Sequence, residues 1–348
     1  MPPTFSSGFT QCFPPAPAFV EKDVPDLTGK VYIVTGASSG IGRELARILY
    51  SRNATVYLAG REEGDTIQHI KKAEPRSAGT LVFLPLDLSD LRSVKTAAER
   101  FLAAETRLHV LFNNPGVMTA DDGPGGMERT AQGYEKQLGV NCLGPFLFTK
   151  LLMPTLLATA ADKSGSSTHT HEVRVVFVSS FGAEMYHEPG IGIDLDSLGY
   201  RDDPPKPSIH RYGISKVGVW AYGIELTKRF AAANKGESGG GGGGGGGVLG
   251  VPVNPGNLRS GLFARQGLLL RLQVALMHYP AVRGAYTELF AAFLLEVTTE
   301  TAGYVFPFGR LRPICEELRR AARSEEEGGA DLARRFWDWS EEQVAPFA

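Results

Sequence analysis

Six short runs of β-branched and aromatic residues punctuate the chain, and the segments between them bring apolar residues back at helical spacing. Lys30–Thr35 (KVYIVT) is almost continuously apolar, and Ile41, Leu45, Ile48 and Leu49 then fall on one helical face. Ala54–Ala59 (ATVYLA) is the second run, followed by a polar helical stretch, and Thr80–Leu86 (TLVFLPL) is the third. Ser89 reads as the N-cap of a helix that carries Leu91, Val94, Ala98, Phe101 and Leu102 on one side. Arg107–Asn114 (RLHVLFNN), a long helix over Ala131–Thr159, Val173–Ser179 (VRVVFVS), a helix after His210 and Val248–Val253 (VLGVPV) complete the series. Apolar strands that alternate with helices predict an α/β chain with a doubly wound parallel sheet, covered on both faces.

Composition narrows the function classes. With 36 basic against 38 acidic residues, the formal charge of −2 lacks the electrostatic footprint of a nucleic-acid binder or a polybasic membrane protein. The three cysteines, Cys12, Cys142 and Cys315, are far apart, uneven in number and free of any C-x-x-C spacing, which points to a reducing, cytoplasmic setting. The most apolar stretch, Leu143–Ala161, is interrupted by Pro145, Lys150 and Pro154, so no stable membrane insertion is expected. The N-terminus, rich in proline and phenylalanine, does not read as a signal peptide. Residues 1–28 are expected to form an arm, either extended along the body or a disordered tail. Gly239–Gly247 is an unbroken run of nine glycines, read as a flexible surface loop within one domain. Particular glycine positions leading into a helix would be needed for it to be a phosphate loop.

Two constellations carry chemistry. The first is Thr35-Gly36-Ala37-Ser38-Ser39-Gly40-Ile41-Gly42, placed where a strand gives way to a helix. A helix N-terminus presents free N–H groups and partial positive charge, and glycines let a pyrophosphate approach the backbone. The second is Tyr212-Gly213-Ile214-Ser215-Lys216. Residues i and i+4 share a helical face, so the Lys216 ammonium is expected to lower the Tyr212 phenol toward working pH and fit it for general acid catalysis. Ser179-Ser180 and Asn113-Asn114 end two strands at the carboxyl edge, where parallel sheets bind ligands, and Asn141 lies in the helix after the second of these.

TGASSGIG, LDLSD, LFNNPG, GVNCLGPF, VVFVSS, YGISK and NPG appear in that order between Lys30 and Gly256, and together they resemble the short-chain dehydrogenase/reductase family. The long gap between Ser180 and Tyr212 and the C-terminal GAYTELFAAFLLEVTTETAGYVFPFGR resemble its retinol-dehydrogenase-like and fungal branch. The resemblance implies a Rossmann fold over residues 29–348, with 258–348 as a substrate lid and C-terminal extension. It implies that Tyr212 donates the proton in reduction and accepts it in oxidation, that Lys216 lowers its pKa and holds the nicotinamide ribose, and that Ser180 polarises the carbonyl. Asn141 would support a water-linked proton path, or would be a helix residue satisfied by backbone groups. Gly36, Ser38, Ser39, Gly40, Ile41 and Gly42 would cradle the pyrophosphate. Asp87 and Leu88 would lie near the adenine, Pro255 and Gly256 beside the nicotinamide. Asn113, Asn114 and Gly116 would border the cofactor from the NNPG segment, where a plain strand-end turn is the alternative for the asparagines.

Two departures bear on the cofactor. Pro115 stands where the family carries alanine, which removes a backbone N–H from the cofactor side. Arg61, at the end of the second strand, suits the 2′-phosphate of NADP and makes NAD the less favoured cofactor. Glu62 and Glu63 beside it would repel that phosphate if turned inward, and a solvated turn is the other reading of Arg61. His169 and His171 form an H-x-H without a ligand framework, so no metal is expected. Cys142 reads as a small core residue. The apolar stretch Gly267–Met277 is read as a substrate lid, with contact to a membrane surface as the alternative, and the apolar residues around Leu262–Tyr279 hint at a hydrophobic substrate. The expected activity is hydride transfer between NADP(H) and a carbonyl or secondary alcohol of a small molecule. The alternative is a catalytically silent NAD(P)-binding sensor or interaction protein on the same fold. The resemblance allows a dimer or tetramer, although the long C-terminus could cover the usual interface.

Overall fold

The computed structural model describes residues 5–120, 126–162, 173–199, 206–233, 247–258, 279–298, 301 and 303–348. In chain order the helices are α1 (Phe5–Cys12), α2 (Gly40–Ser51), α3 (Thr66–Ala73), α4 (Leu91–Ala104), the single turn α5 (Lys136–Leu138), α6 (Gly144–Ala161), α7 (Gly182–Tyr186), α8 (Ser208–Ala233), α9 (Ala281–Phe293), α10 (Glu316–Ala321) and α11 (Leu332–Val344). The strands are β1 (Val31–Thr35), β2 (Thr55–Gly60), β3 (Thr80–Pro85), β4 (Val110–Asn113), β5 (Arg174–Val178), β6 (Leu249–Val253), β7 (Val305–Phe306) and β8 (Arg310–Leu311).

They form one sheet in the order β3-β2-β1-β4-β5-β6-β7-β8, parallel except for the β7–β8 pair. This is the Rossmann arrangement. The strand order reverses between β1 and β4, which opens a crevice at the carboxyl edge. Strand alternation explains the unbroken apolar runs. Ile33, Leu111, Val175 and Phe177 face a core shared with α4, α6, α8 and α11. Tyr32, Val34, Phe112, Val176 and Val178 face a second core shared with α2, α3 and α9. Both faces are covered, so both residues of each alternating pair are apolar.

The run Lys136–Ala161 is long and apolar enough to cross a membrane by composition, yet it is a core helix, mostly buried between the sheet and α4. It starts later than the periodicity predicts, because the Glu135 side chain accepts from the Leu138 N–H at 2.7 Å and caps it. Inside it, Gly139–Leu143 forms a π turn. Ser89 is not the cap of α4. Asp90 accepts from Arg92 N at 3.0 Å instead, while Ser89 turns back onto Asp87.

The N-terminal arm departs from expectation: at residues 5–12 it is neither extended nor loose but forms α1, with Gln11 buried. The described part of the C-terminal extension packs on the body of the fold. From residue 279 on, α9 packs on α2, β7 and β8 extend the sheet, and α11 lies on α8 with Phe336 stacked on Tyr222 at 4.9 Å. These helices carry apolar faces that find the helix layers, not the strand ends. The expected lid at 259–278, His169 and His171, and all but the last residue of the glycine run lie outside the described residues.

Gly247 leads into β6 beside Leu249, which pairs with Arg174 at the amino end of β5, opposite the crevice. Deleting five glycines from Gly239–Gly247 should therefore leave nucleotide binding unchanged and the melting temperature unchanged or slightly higher. Closure entropy changes by only ~0.6 kcal/mol per doubling of loop length. Titration and thermal melts check this; lost affinity at a preserved melting temperature would put the connection at the wrong edge of the sheet.

Candidate active site

The glycine turn closes on itself by removing side chains where backbone meets backbone. A Cβ on Gly42 would stand 2.5 Å from the Gly36 carbonyl oxygen and 2.7 Å from the Asn114 amide. Asn114 fills the space so created. Oriented as its partners require, its amide oxygen accepts from Gly42 N at 3.2 Å and its nitrogen donates to Glu288 Oε1 at 3.0 Å. Its backbone N–H donates to Thr35 Oγ1 at 3.1 Å, joining the ends of β1 and β4. Glu288, on α9, is fully buried, and its other oxygen has no hydrogen-bond partner. Burial raises its carboxyl to about 8 against the pull of Lys216.

At the other side of the crevice α8 brings in Tyr212 and Lys216. It can lie close because Gly213 faces α7, where a Cβ would be 2.4 Å from that of Tyr186. Lys216 is 1% exposed, and its Nζ donates to the carbonyls of Val178 at 2.8 Å and Pro115 at 3.3 Å. Burial lowers this ammonium to about 8, with Cys142 and Glu288 pulling the other way. Tyr212 lies near it, its ring centroid 5.6 Å from Nζ. The phenol is nevertheless raised to about 12 by burial, with only a hydrogen bond from Ser180 opposing. The lowering expected from Lys216 is thus corrected: burial sets the direction, and the phenol rests as the neutral acid. Ser180 Oγ accepts from Gly182 N at 3.1 Å while its hydroxyl bonds the Tyr212 phenol, which sets the two oxygens side by side.

These groups line one cleft of about 1050 Å³. Gly36, Ser38, Ser39, Gly40 and Ile41 form its middle, Tyr212, Lys216 and Ser180 one end, and Arg61, Asp87 and Leu88 the other. Asn114, Gly116, Pro255 and Gly256 complete the walls named from the sequence. Glu62 and Glu63 line a separate small crevice beside α3.

Three predicted residues stand back from the cleft. Gly42 lies beneath the turn. Asn113 points away from Asn114, as alternation demands, and donates to Thr149 Oγ1 at 2.8 Å in the core. Asn141, in the π turn, accepts from Val117 N at 2.9 Å and donates to Val117 O at 3.1 Å and to Ser215 Oγ at 2.9 Å. Backbone groups thus take up most of its amide, and it fixes the loop after β4 to α8. Cys142 is fully buried, as expected of a core residue. Sequence reasoning missed Glu288, Glu184, Asn254 and Tyr304, whose hydroxyl donates to Ser180 O at 3.0 Å. The only available signals were a carboxylate inside apolar runs (TELFAA) and the Asn preceding Pro255.

Comparison with known proteins agrees with this geometry. The family model for short chain dehydrogenase matches residues 30–190. A short-chain dehydrogenase/reductase of Neocamarosporium betae is 46% identical over 98% of this chain and 94% of its own. One from Phomopsis amygdali is 45% identical over 99% of this chain and 98% of its own. Among solved structures, an uncharacterised protein from Mycobacterium paratuberculosis superposes with a TM-score of 0.62 at 27% identity, covering 93% of this chain and 96% of that one. A metagenomic short-chain oxidoreductase in complex with NADP gives 0.50 at 20% identity, covering 83% and 100%.

Glu288 generates a pH prediction. Its folded pKa is raised from 4.5 to about 8, so its contribution to stability is complete below 4.5 and is lost as pH rises through 8. Glu288→Gln keeps an acceptor for Asn114 and removes the titration. Relative to the parent, the variant should gain melting temperature steadily from pH 5 to pH 8, by several degrees at the top of that range. Parallel curves in pH-dependent thermal melts would show that Glu288 does not titrate there.

Proposed function

The chain belongs to the short-chain dehydrogenase/reductase family, and on that premise we propose that it transfers hydride between NADP(H) and a carbonyl or secondary alcohol of a small, hydrophobic substrate. The observation that carries this reading is the convergence of Tyr212, Ser180 and Lys216 at one end of a cleft whose far end holds Arg61. The cleft fits a dinucleotide: its middle is a glycine turn at the N-terminus of α2, with no side chain on Gly36 or Gly40 to block the backbone.

When bound, the cofactor supplies or takes up the hydride. The chain does the rest. Ser180, whose hydroxyl bonds the Tyr212 phenol, turns its proton to the substrate oxygen when substrate enters and holds it beside Tyr212. Tyr212, kept neutral by burial, is in the form that gives a proton to that oxygen in reduction. Lys216 has three N–H groups and gives two to backbone carbonyls, which leaves one for the cofactor ribose. Gly116 lies beside that amine, where a Cβ would be in van der Waals contact with Nζ at 3.5 Å. Pro115 loses an N–H yet contributes its carbonyl to Lys216, so the substitution does not disable the site. Arg61 lines the cleft and would pair with the 2′-phosphate, which favours NADP over NAD. The NADP complex of the metagenomic relative supports the same choice. Val117, Met118 and Leu258 give the cleft apolar walls.

Two substitutions test this. Tyr212→Phe removes the transferable proton and keeps the ring. NADPH consumption with a panel of ketones and aldehydes should fall by ~10²-fold or more, with NADPH affinity little changed; near-normal turnover would remove Tyr212 from the mechanism. Arg61→Ala should weaken NADPH by roughly 10- to 100-fold, the loss of ~1.5–3 kcal/mol of charge-assisted hydrogen bonding, and leave NADH nearly untouched. Equal losses in the two titrations would mean that Arg61 does not read the phosphate.

A further inference from the structure

Helix α1 lies outside residues 30–190, where the family model matches, and yet it reaches the walls of the cleft. Gln11 is its buried polar residue, 2% exposed. Its amide oxygen accepts from Asn254 Nδ2 at 2.7 Å, and its amide nitrogen donates to Glu184 Oε2 at 2.6 Å. Each partner is committed elsewhere. Asn254 Oδ1 accepts from Gly256 N at 3.0 Å, and Glu184 Oε1 accepts from Cys315 N at 2.8 Å. Arg310 Nη2 secures the helix end through Thr10 O at 2.7 Å.

Two neighbouring walls of the cleft, which follow the ends of the adjacent strands β5 and β6, meet in this chain of bonds. Asn254 opens the Asn254–Gly256 turn that lines the cofactor side. Glu184 belongs to α7, whose first residue, Gly182, donates to Ser180 Oγ and lies against the Tyr212 ring. A glutamine carries one acceptor and one donor group on a planar amide, and here each faces the only kind of group it can satisfy. Buried and fully paired, such a network is stiff, and breaking it leaves unsatisfied polar groups.

We propose that Gln11 is a positioning residue of the active site, tying the Asn254–Gly256 turn to the Ser180–Gly182 corner so that the hydride donor and the carbonyl oxygen are held in register. This rests on the functional reading above. It makes the N-terminal helix part of the site, with an effect on turnover larger than its effect on nucleotide affinity.

The test uses the full chain with Gln11→Met, which keeps side-chain length and removes both bonds, and Gln11→Glu, which keeps the acceptor and sets a second carboxyl against Glu184. In the nucleotide-free protein, hydrogen exchange at Gly182 and Gly256 should accelerate at least ~10-fold together in Gln11→Met, while β1 stays protected. Turnover with NADPH and a reducible ketone should fall ~10-fold or more, with the NADPH dissociation constant within ~3-fold. In Gln11→Glu a proton shared between the two carboxyls restores the bridge, so protection and turnover should recover near pH 5 and be lost toward pH 8. The groups facing Glu184, the Tyr304 phenol and the Cys315 thiol, are both pushed up by burial and stay neutral in that window, and Arg310 stays charged. Glu317 lies beyond Cys315 and stays ionised there.

Acceleration at one wall alone, unchanged turnover in Gln11→Met, or a Gln11→Glu variant indifferent to pH would each overturn the proposal. A parent protein that binds no nicotinamide nucleotide overturns the functional reading instead, and the exchange measurement still decides whether Gln11 couples the walls.

Discussion

The buried Lys216 ammonium is the constraint around which this site is organised. A charge removed from water needs protein dipoles in its place. Here they are the carbonyls of Val178 and Pro115, at the carboxyl ends of β5 and the segment after β4. Those two oxygens stand close enough only because β4 and β5 run parallel, with Asn113 level with Phe177. The ammonium reaches them only if α8 lies tight on the strand ends. Three contacts supply that closeness: Gly213 against α7, Ser179 Oγ donating to Lys216 O at 2.7 Å, and Asn141 donating to Ser215 Oγ. Asn141 is aimed at both Ser215 and Val117 by the π turn in which it sits, so an irregularity in one helix registers another.

The same burial sets the protonation states. Lys216 is pushed down to about 8 and Glu288 up to about 8, each towards neutrality, and each partly restrained by the other's charge. Tyr212, deprived of water as well, stays an acid. Desolvation, more than any single charged neighbour, thus leaves the phenol with its proton and the ammonium near its titration point. The sequence pattern Y-x-x-x-K conveys proximity but not depth, which is why it gave the wrong sign for the phenol.

Legibility followed the range of the contacts. The glycine turn, the Tyr212–Lys216 pair and the strand ends were readable because each is a local pattern within one strand–turn–helix or one helix turn. The parallel sheet was readable because burial on both faces leaves apolar runs. Glu288 was not, since it lies on α9 and meets Asn114 only after the chain has crossed the sheet. Gln11 was hidden more deeply, being 243 residues from Asn254 and 173 from Glu184 in sequence. Where the C-terminal helices pack was not legible either, because an amphipathic helix shows that a face will be buried, not which surface will bury it.

What remains is why the substrate wall should depend on the termini at all. Helix α7 has five residues and too little apolar surface to hold itself against the sheet. Besides its packing on α8, its neighbourhood is tied from outside the central strands: Tyr304 OH donates to Ser180 O, Cys315 N to Glu184, and Gln11 to the same carboxylate. Tyr304 and Cys315 come from the C-terminal extension and Gln11 from α1, and Arg310 joins the two through Thr10. Lys216 and the glycine turn, by contrast, are fixed mainly by strands β1, β4 and β5 and the helices packed on them. The strand ends fix the Lys216 ammonium and the glycine turn, while α8 and the two ends of the chain together fix the Ser180–Gly182 corner. The corner and the ammonium share α8 through Gly213, so the termini brace from outside what the central helices already hold in register.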